Sequence, residues 1–153
     1  MREIWIEEAR GRSKLVMIGR LMDYECKAWC VEVDRKRQRS MLAKLRRGTA
    51  ELRIETGRWC GLERQERICK CCESGEVEDV EHLVMKCAHV KEERGKLMEL
   101  MDERVQGWPG MEENERVAVV MDKACTDPAV GRAMERLWWK RFIANGSHPT
   151  TRP

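Results

Sequence analysis

Cys69, Cys72, His82 and Cys87 are spaced C-x2-C-x9-H-x4-C. Three thiols and one imidazole are a donor set that Zn²⁺ takes in tetrahedral structural sites. The C-x2-C pair offers two thiolates from one tight turn, and Gly75 lets the following loop reverse direction. His82 and Cys87 stand five residues apart, so a short helix over EHLVMK running into a turn can aim both at one ion. Four protein donors leave no open position for water, so the expected role of the ion is structural. Two alternatives stay open: Cys71 in place of Cys72, and His89 in place of Cys87. Cys72 is preferred to Cys71 because C-x2-C lets both sulfurs face one side of the turn. Cys26 and Cys30, four apart on an expected helix, read as core, and Cys60 and Cys125 as small apolar residues.

The second chemistry is that of phosphate. Between residues 35 and 47 stand seven basic side chains, Arg35, Lys36, Arg37, Arg39, Lys44, Arg46 and Arg47, and no acid. Met41, Leu42 and Leu45 form only a narrow apolar stripe there, which leaves most of the cations facing water. Contacts of this kind dominate affinity for nucleic acid. Arg58 adds a charge, and Trp59 beside it either stacks on an unpaired base or joins the core. The chain's net charge of +3 hides a strong asymmetry: zero over 1–33, +7 over 34–70, −8 over 71–122 and +4 over 123–153. A zinc ion with three thiolates carries net charge of about −1 in acidic surroundings. The basic helix, with Arg46 and Arg47 at its end, is therefore the expected phosphate contact, rather than the zinc loop. The plainer alternative is a solvated helix face.

The elements that must position these groups read as helices. Of 153 residues, 42% are hydrophobic and 37% charged, and no apolar run approaches the roughly 18 residues of a membrane span. Ten Met, six Trp and many Leu and Val recur at helical spacing, which argues against disorder. A single Phe, a single Tyr and scattered β-branched residues argue against a large sheet. The fold expected is mostly α: a small helical domain stapled by a zinc-binding loop.

The chain divides into an N-terminal helical segment (1–33), a basic helix with the zinc module and the helix after it (34–104), a C-terminal helical hairpin (105–147) and a disordered tail (148–153). Helices are expected over 3–9, 14–33, 34–47, 88–103, 112–123 and from Asp127-Pro128 to about residue 145. Asp34 is a candidate N-cap, and Gly48 a helix stop. Leu52 and Ile54 fit a short helix or extended piece that breaks at Thr56-Gly57. The opening MREIWIEEAR lacks an apolar signal core, so the clustered cysteines point to metal rather than disulfides. The implied location is intracellular, cytoplasmic or nuclear.

The run from Arg39 to Leu97, over a third of the chain, resembles the zinc-binding segment downstream of the polymerase in non-LTR retrotransposon reverse transcriptases. The matching residues are Leu42, Leu45, Arg46, Gly48, Leu52, Arg53, Cys69, Cys72, Glu78, Glu81, His82 and Cys87. The resemblance implies a module that grips template RNA or target DNA. It does not imply polymerase activity here, because no Tyr-x-Asp-Asp occurs to hold two metal ions for nucleotidyl transfer. No Walker loop, nucleophile elbow or dinucleotide fingerprint occurs either. The expected function is thus a non-catalytic, zinc-binding and nucleic-acid-binding module, tolerant of sequence. Two alternatives remain. One is a zinc-stapled protein-interaction module using the acidic 73–115 stretch or the Trp138-Trp139 face. The other is a truncated retroelement remnant without selected activity.

Overall fold

The computed structural model describes residues 36–144. The helices expected over 3–9 and 14–33, the N-cap Asp34, Arg35, the pair Cys26 and Cys30, and the tail 148–153 lie outside the described residues.

The architecture is helical. Helix α1 (Lys36–Arg46) is followed by α2 (Arg53–Trp59), the cysteine-bearing loop, α3 (Lys91–Arg104), α4 (Glu113–Thr126) and α5 (Pro128–Ala144). The sole β pairing among the described residues is an antiparallel bridge between Ile68 and Val77.

Apolar spacing explains the packing. On α5, Val130, Met134, Leu137, Trp138 and Phe142 recur every three or four residues and are all buried. Val117, Val120 and Met121 of α4 and Leu97 and Met101 of α3 meet this stripe in one core. Each such side chain contributes about 1.5–3 kcal/mol by leaving water. On α1 the narrow stripe is buried as its spacing suggests, with Gln38 added to it. Gly131 on α5 lies where the Gln38 side chain and the Ala124 carbonyl come too close for any Cβ. The core runs in one cluster from Met41 to Phe142.

The helix ends follow local chemistry. Gly48, with φ of 64°, closes α1 in the left-handed conformation that glycine adopts without steric cost. Asp127 accepts the Ala129 N–H at 2.8 Å and thereby caps α5, while its other oxygen pairs with Arg104 at 2.7 Å.

One expectation is corrected. The chain does not break at Thr56-Gly57, because α2 continues through both to Trp59. Gly57 serves another purpose: Arg67 crosses the helix there, and a Cβ would stand 2.7 Å from its Cγ. From that position Arg67 donates to the carbonyls of Leu62 and Ile54, which ties α2 to the start of the cysteine loop.

Candidate metal centre

The loop that carries the cysteines is a narrow turn held by its own backbone. Cys69 donates its N–H to the Glu76 carbonyl at 2.8 Å, and Glu78 donates to Arg67 at 3.0 Å. Gly75 turns the chain between these bonds with φ of 71°. The Cys71 N–H points back at the Cys69 sulfur, 3.4 Å away.

The second half of the centre is a π-type turn, His82–Lys86. Asp79 starts it by accepting the His82 N–H at 2.9 Å. It closes with the Cys87 N–H on the His82 carbonyl at 2.7 Å. The wide turn matters because residues five apart on an α-helix project about 140° from each other. An i→i+5 turn brings them back to one side. The expected short helix is therefore a π turn, and its geometry is what aims His82 and Cys87 together.

The four ligand atoms of Cys69, Cys72, His82 and Cys87 lie within 4.8 Å of one another. The Cys69 and Cys87 sulfurs are 3.9 Å apart, and Cys72 Sγ is 3.3 Å from His82 Nε2. A tetrahedral ion with zinc bond lengths has S···S edges of about 3.8 Å and S···N edges of about 3.6 Å. These two edges thus stand near the lengths such an ion requires. The quartet could hold a metal ion.

The open alternatives separate in space. Cys71 turns away, with its sulfur 3.8 Å from the Arg141 carbonyl. It groups instead with Cys69 and Glu78, but Arg141 occupies both Glu78 oxygens. His89 is half-buried outside the quartet.

Electrostatics around the donors are uneven. Burial pushes the Cys69 thiol well above the usual thiol range, although backbone N–H groups of Cys71 and Cys72 oppose it. Burial also raises Cys72, but hydrogen bonds from Ser74, Cys69 and His82 outweigh it and bring that thiol down to about 6. His82 is raised to about 9, first by its hydrogen bond with Cys87, against burial, and then by Glu76 and Cys72. Glu76 sits 3.0 Å from His82 Nδ1, which leaves Nε2 facing the sulfurs.

Sequence reasoning missed the residues that anchor this centre. Arg141 of α5 donates to both oxygens of Glu78 at 2.7 and 2.8 Å, and Glu78 also accepts the Arg53 N–H at 2.8 Å. Arg94 of α3 donates to the Cys87 carbonyl at 2.6 Å. A signal for Arg141 existed: it falls on the apolar face of α5, four residues after Leu137, where a lone cation needs a buried partner.

The basic positions are scattered in role. Lys36 and Arg37 are exposed. Arg39 is half-buried, and Lys44 pairs with Glu51 at 3.3 Å. Arg46 turns inward to the Met121 carbonyl and the Cys125 sulfur, both at 3.4 Å. Arg47 is exposed and bonds to its own helix at the Ala43 carbonyl, and Arg58 pairs with the buried Glu55 at 3.3 Å. Trp59 is 67% exposed rather than core. Of the Trp138-Trp139 face named in the protein-interaction reading, Trp138 is buried and Trp139 half-buried.

No protein-family model, curated protein or solved structure matches the chain. No helix among the described residues is long and apolar enough to cross a membrane.

Proposed function

We propose that this chain is a non-catalytic zinc module that binds nucleic acid, similar in role to the segment its motif resembles in retrotransposon reverse transcriptases. The observation that carries the zinc part is the convergence of three sulfurs and one imidazole within 4.8 Å of one another. Soft thiolate donors and four-fold coordination suit Zn²⁺ over the harder, oxygen-preferring cations. With all four corners filled by protein, the ion would hold the loop rather than activate water. Zinc held by three reduced thiols fits a reducing, intracellular compartment, cytoplasmic or nuclear.

The nucleic-acid part is supported by the +7 charge of residues 34–70 and by exposed cations such as Lys36, Arg37 and Arg47. Metal analysis of the purified protein, followed by gel-shift titration against salt, tests both parts. One zinc per chain is expected. For about five phosphates neutralised on a single strand, log K should fall against log salt with a slope near −3.5. Binding that ignores salt overturns the nucleic-acid reading. One observation favours a protein-interaction module instead: Trp59 and Ile143 are exposed large apolar side chains, at 67% and 77%.

A further inference from the structure

Three cations stand in register on α5. Arg132 and Arg136 are exposed and make no ion pair or side-chain hydrogen bond among the described residues. With Lys140 they stand at i, i+4 and i+8, one helix face, about 6 Å apart along the axis. On α1, Lys44, Arg46 and Arg47 are each engaged within the fold, while Lys36 and Arg37 are exposed near its start.

This stripe borders a groove of about 510 Å³ between α3 and α5, which Lys96, Glu93, Glu135, Trp139 and Ile143 also line. Four cations against two carboxylates leave the groove net positive. Lys96 lies 3.4 Å from Glu92, but both are mostly exposed, and such pairs hold weakly. Trp139 is half-buried against the buried Phe142, with ring centroids 6.3 Å apart, so its indole is braced. Glu93 spends one oxygen on Lys140 at 3.5 Å.

We infer that the α3–α5 groove is a binding site for a single strand of RNA or DNA. Arg132, Arg136 and Lys96 take backbone phosphates, and Trp139 stacks a base. A basic groove with an aromatic platform is the usual arrangement for single strands. An acidic peptide would meet the same cations, but it would bring no base to stack on the braced indole of Trp139. The inference rests on the nucleic-acid reading above and moves the principal contact from α1 to α5.

The test uses the full zinc-loaded chain and fluorescently labelled oligonucleotides, one DNA and one RNA, each containing all four bases. Arg132→Glu with Arg136→Glu is compared with Lys36→Glu with Arg37→Glu, which changes net charge equally. The groove pair should weaken binding about ten-fold more than the α1 pair, with melting temperature and zinc content unchanged. On the unaltered protein, a bromouracil oligonucleotide should photocrosslink to Trp139. Equal weakening by both pairs, or crosslinks confined to α1 or Trp59, overturns the groove and leaves nucleic-acid binding standing. Displacement of the oligonucleotide by an oligo-glutamate peptide of equal affinity also overturns it, in favour of a peptide site. Failure of the unaltered chain to bind either oligonucleotide overturns the nucleic-acid reading itself.

Discussion

Arg141 of the last helix grips Glu78 of the cysteine loop through two hydrogen bonds of 2.7 and 2.8 Å, with the two side chains 4% and 1% exposed. The pair joins residues 63 positions apart and fixes the metal-ligating loop to the helical core. The planar guanidinium matches the carboxylate at both oxygens, a geometry that lysine cannot reproduce. Arg141 also lies 4.9 Å from the centre of the Phe142 ring, so the cation has an aromatic neighbour in place of water.

Arg141→Ala should cost about 3–5 kcal/mol, because it strands a buried carboxylate. Chemical denaturation of the zinc-loaded protein measures this. Arg141→Lys should recover only part of the loss, and a neutral outcome for the alanine variant would show that the pair does not hold the loop.

Cys72→Ser should abolish stoichiometric metal binding, and Cys71→Ser should leave it intact. The reason is geometric: Cys72 Sγ faces His82 at 3.3 Å, whereas Cys71 faces the Arg141 carbonyl. Cobalt substitution reads the difference directly through the thiolate charge-transfer band. Equal loss in both variants would mean that the ligand pair is misassigned.

Acid should release the metal. The bound form requires deprotonated thiols and a neutral imidazole, so each proton that returns to a ligand competes with the ion. Occupancy should therefore fall as pH drops from neutral, as followed with a chromophoric chelator. Occupancy that stays constant into strong acid would contradict thiolate ligation.

Gly57→Ala should destabilise the protein by about 1–3 kcal/mol, although a glycine inside a helix ordinarily welcomes alanine. The added methyl would meet the Arg67 side chain at 2.7 Å and disturb its bonds to Leu62 and Ile54. Thermal melting tests it, and a stabilised variant would show that Arg67 moves aside without cost.

Arg46→Ala should lower stability by about 1 kcal/mol through the lost bond to the Met121 carbonyl. It should leave the salt dependence of nucleic-acid binding unchanged. A shallower salt slope in this variant would place Arg46 on the phosphate backbone instead.

What could be read in the sequence was what repeats at a fixed local period or depends on donor type. Val130, Met134, Leu137, Trp138 and Phe142 mark a helix face by spacing alone, and the structure buries all five. The set Cys69, Cys72, His82 and Cys87 was legible because soft donors cluster within 19 consecutive residues. Turn chemistry was partly legible: Gly48 and Gly75 both adopt positive φ where the chain reverses.

Tertiary structure alone decided the rest, because it concerns which side chains meet across long separations. Cys71 and Cys72 have the same chemistry, and only the fold of the loop turns one to His82 and the other to Arg141. Gly57 looks like a helix breaker until Arg67 is seen lying across it. Charge density marked α1 as the cationic face. Yet counting charges cannot show that Arg46 is drawn to a carbonyl of α4, or that Arg132 and Arg136 find no partner among the described residues. Local sequence sets a residue's capacity for contact, whereas burial and partner geometry, which arise only when the helices pack, set how that capacity is used.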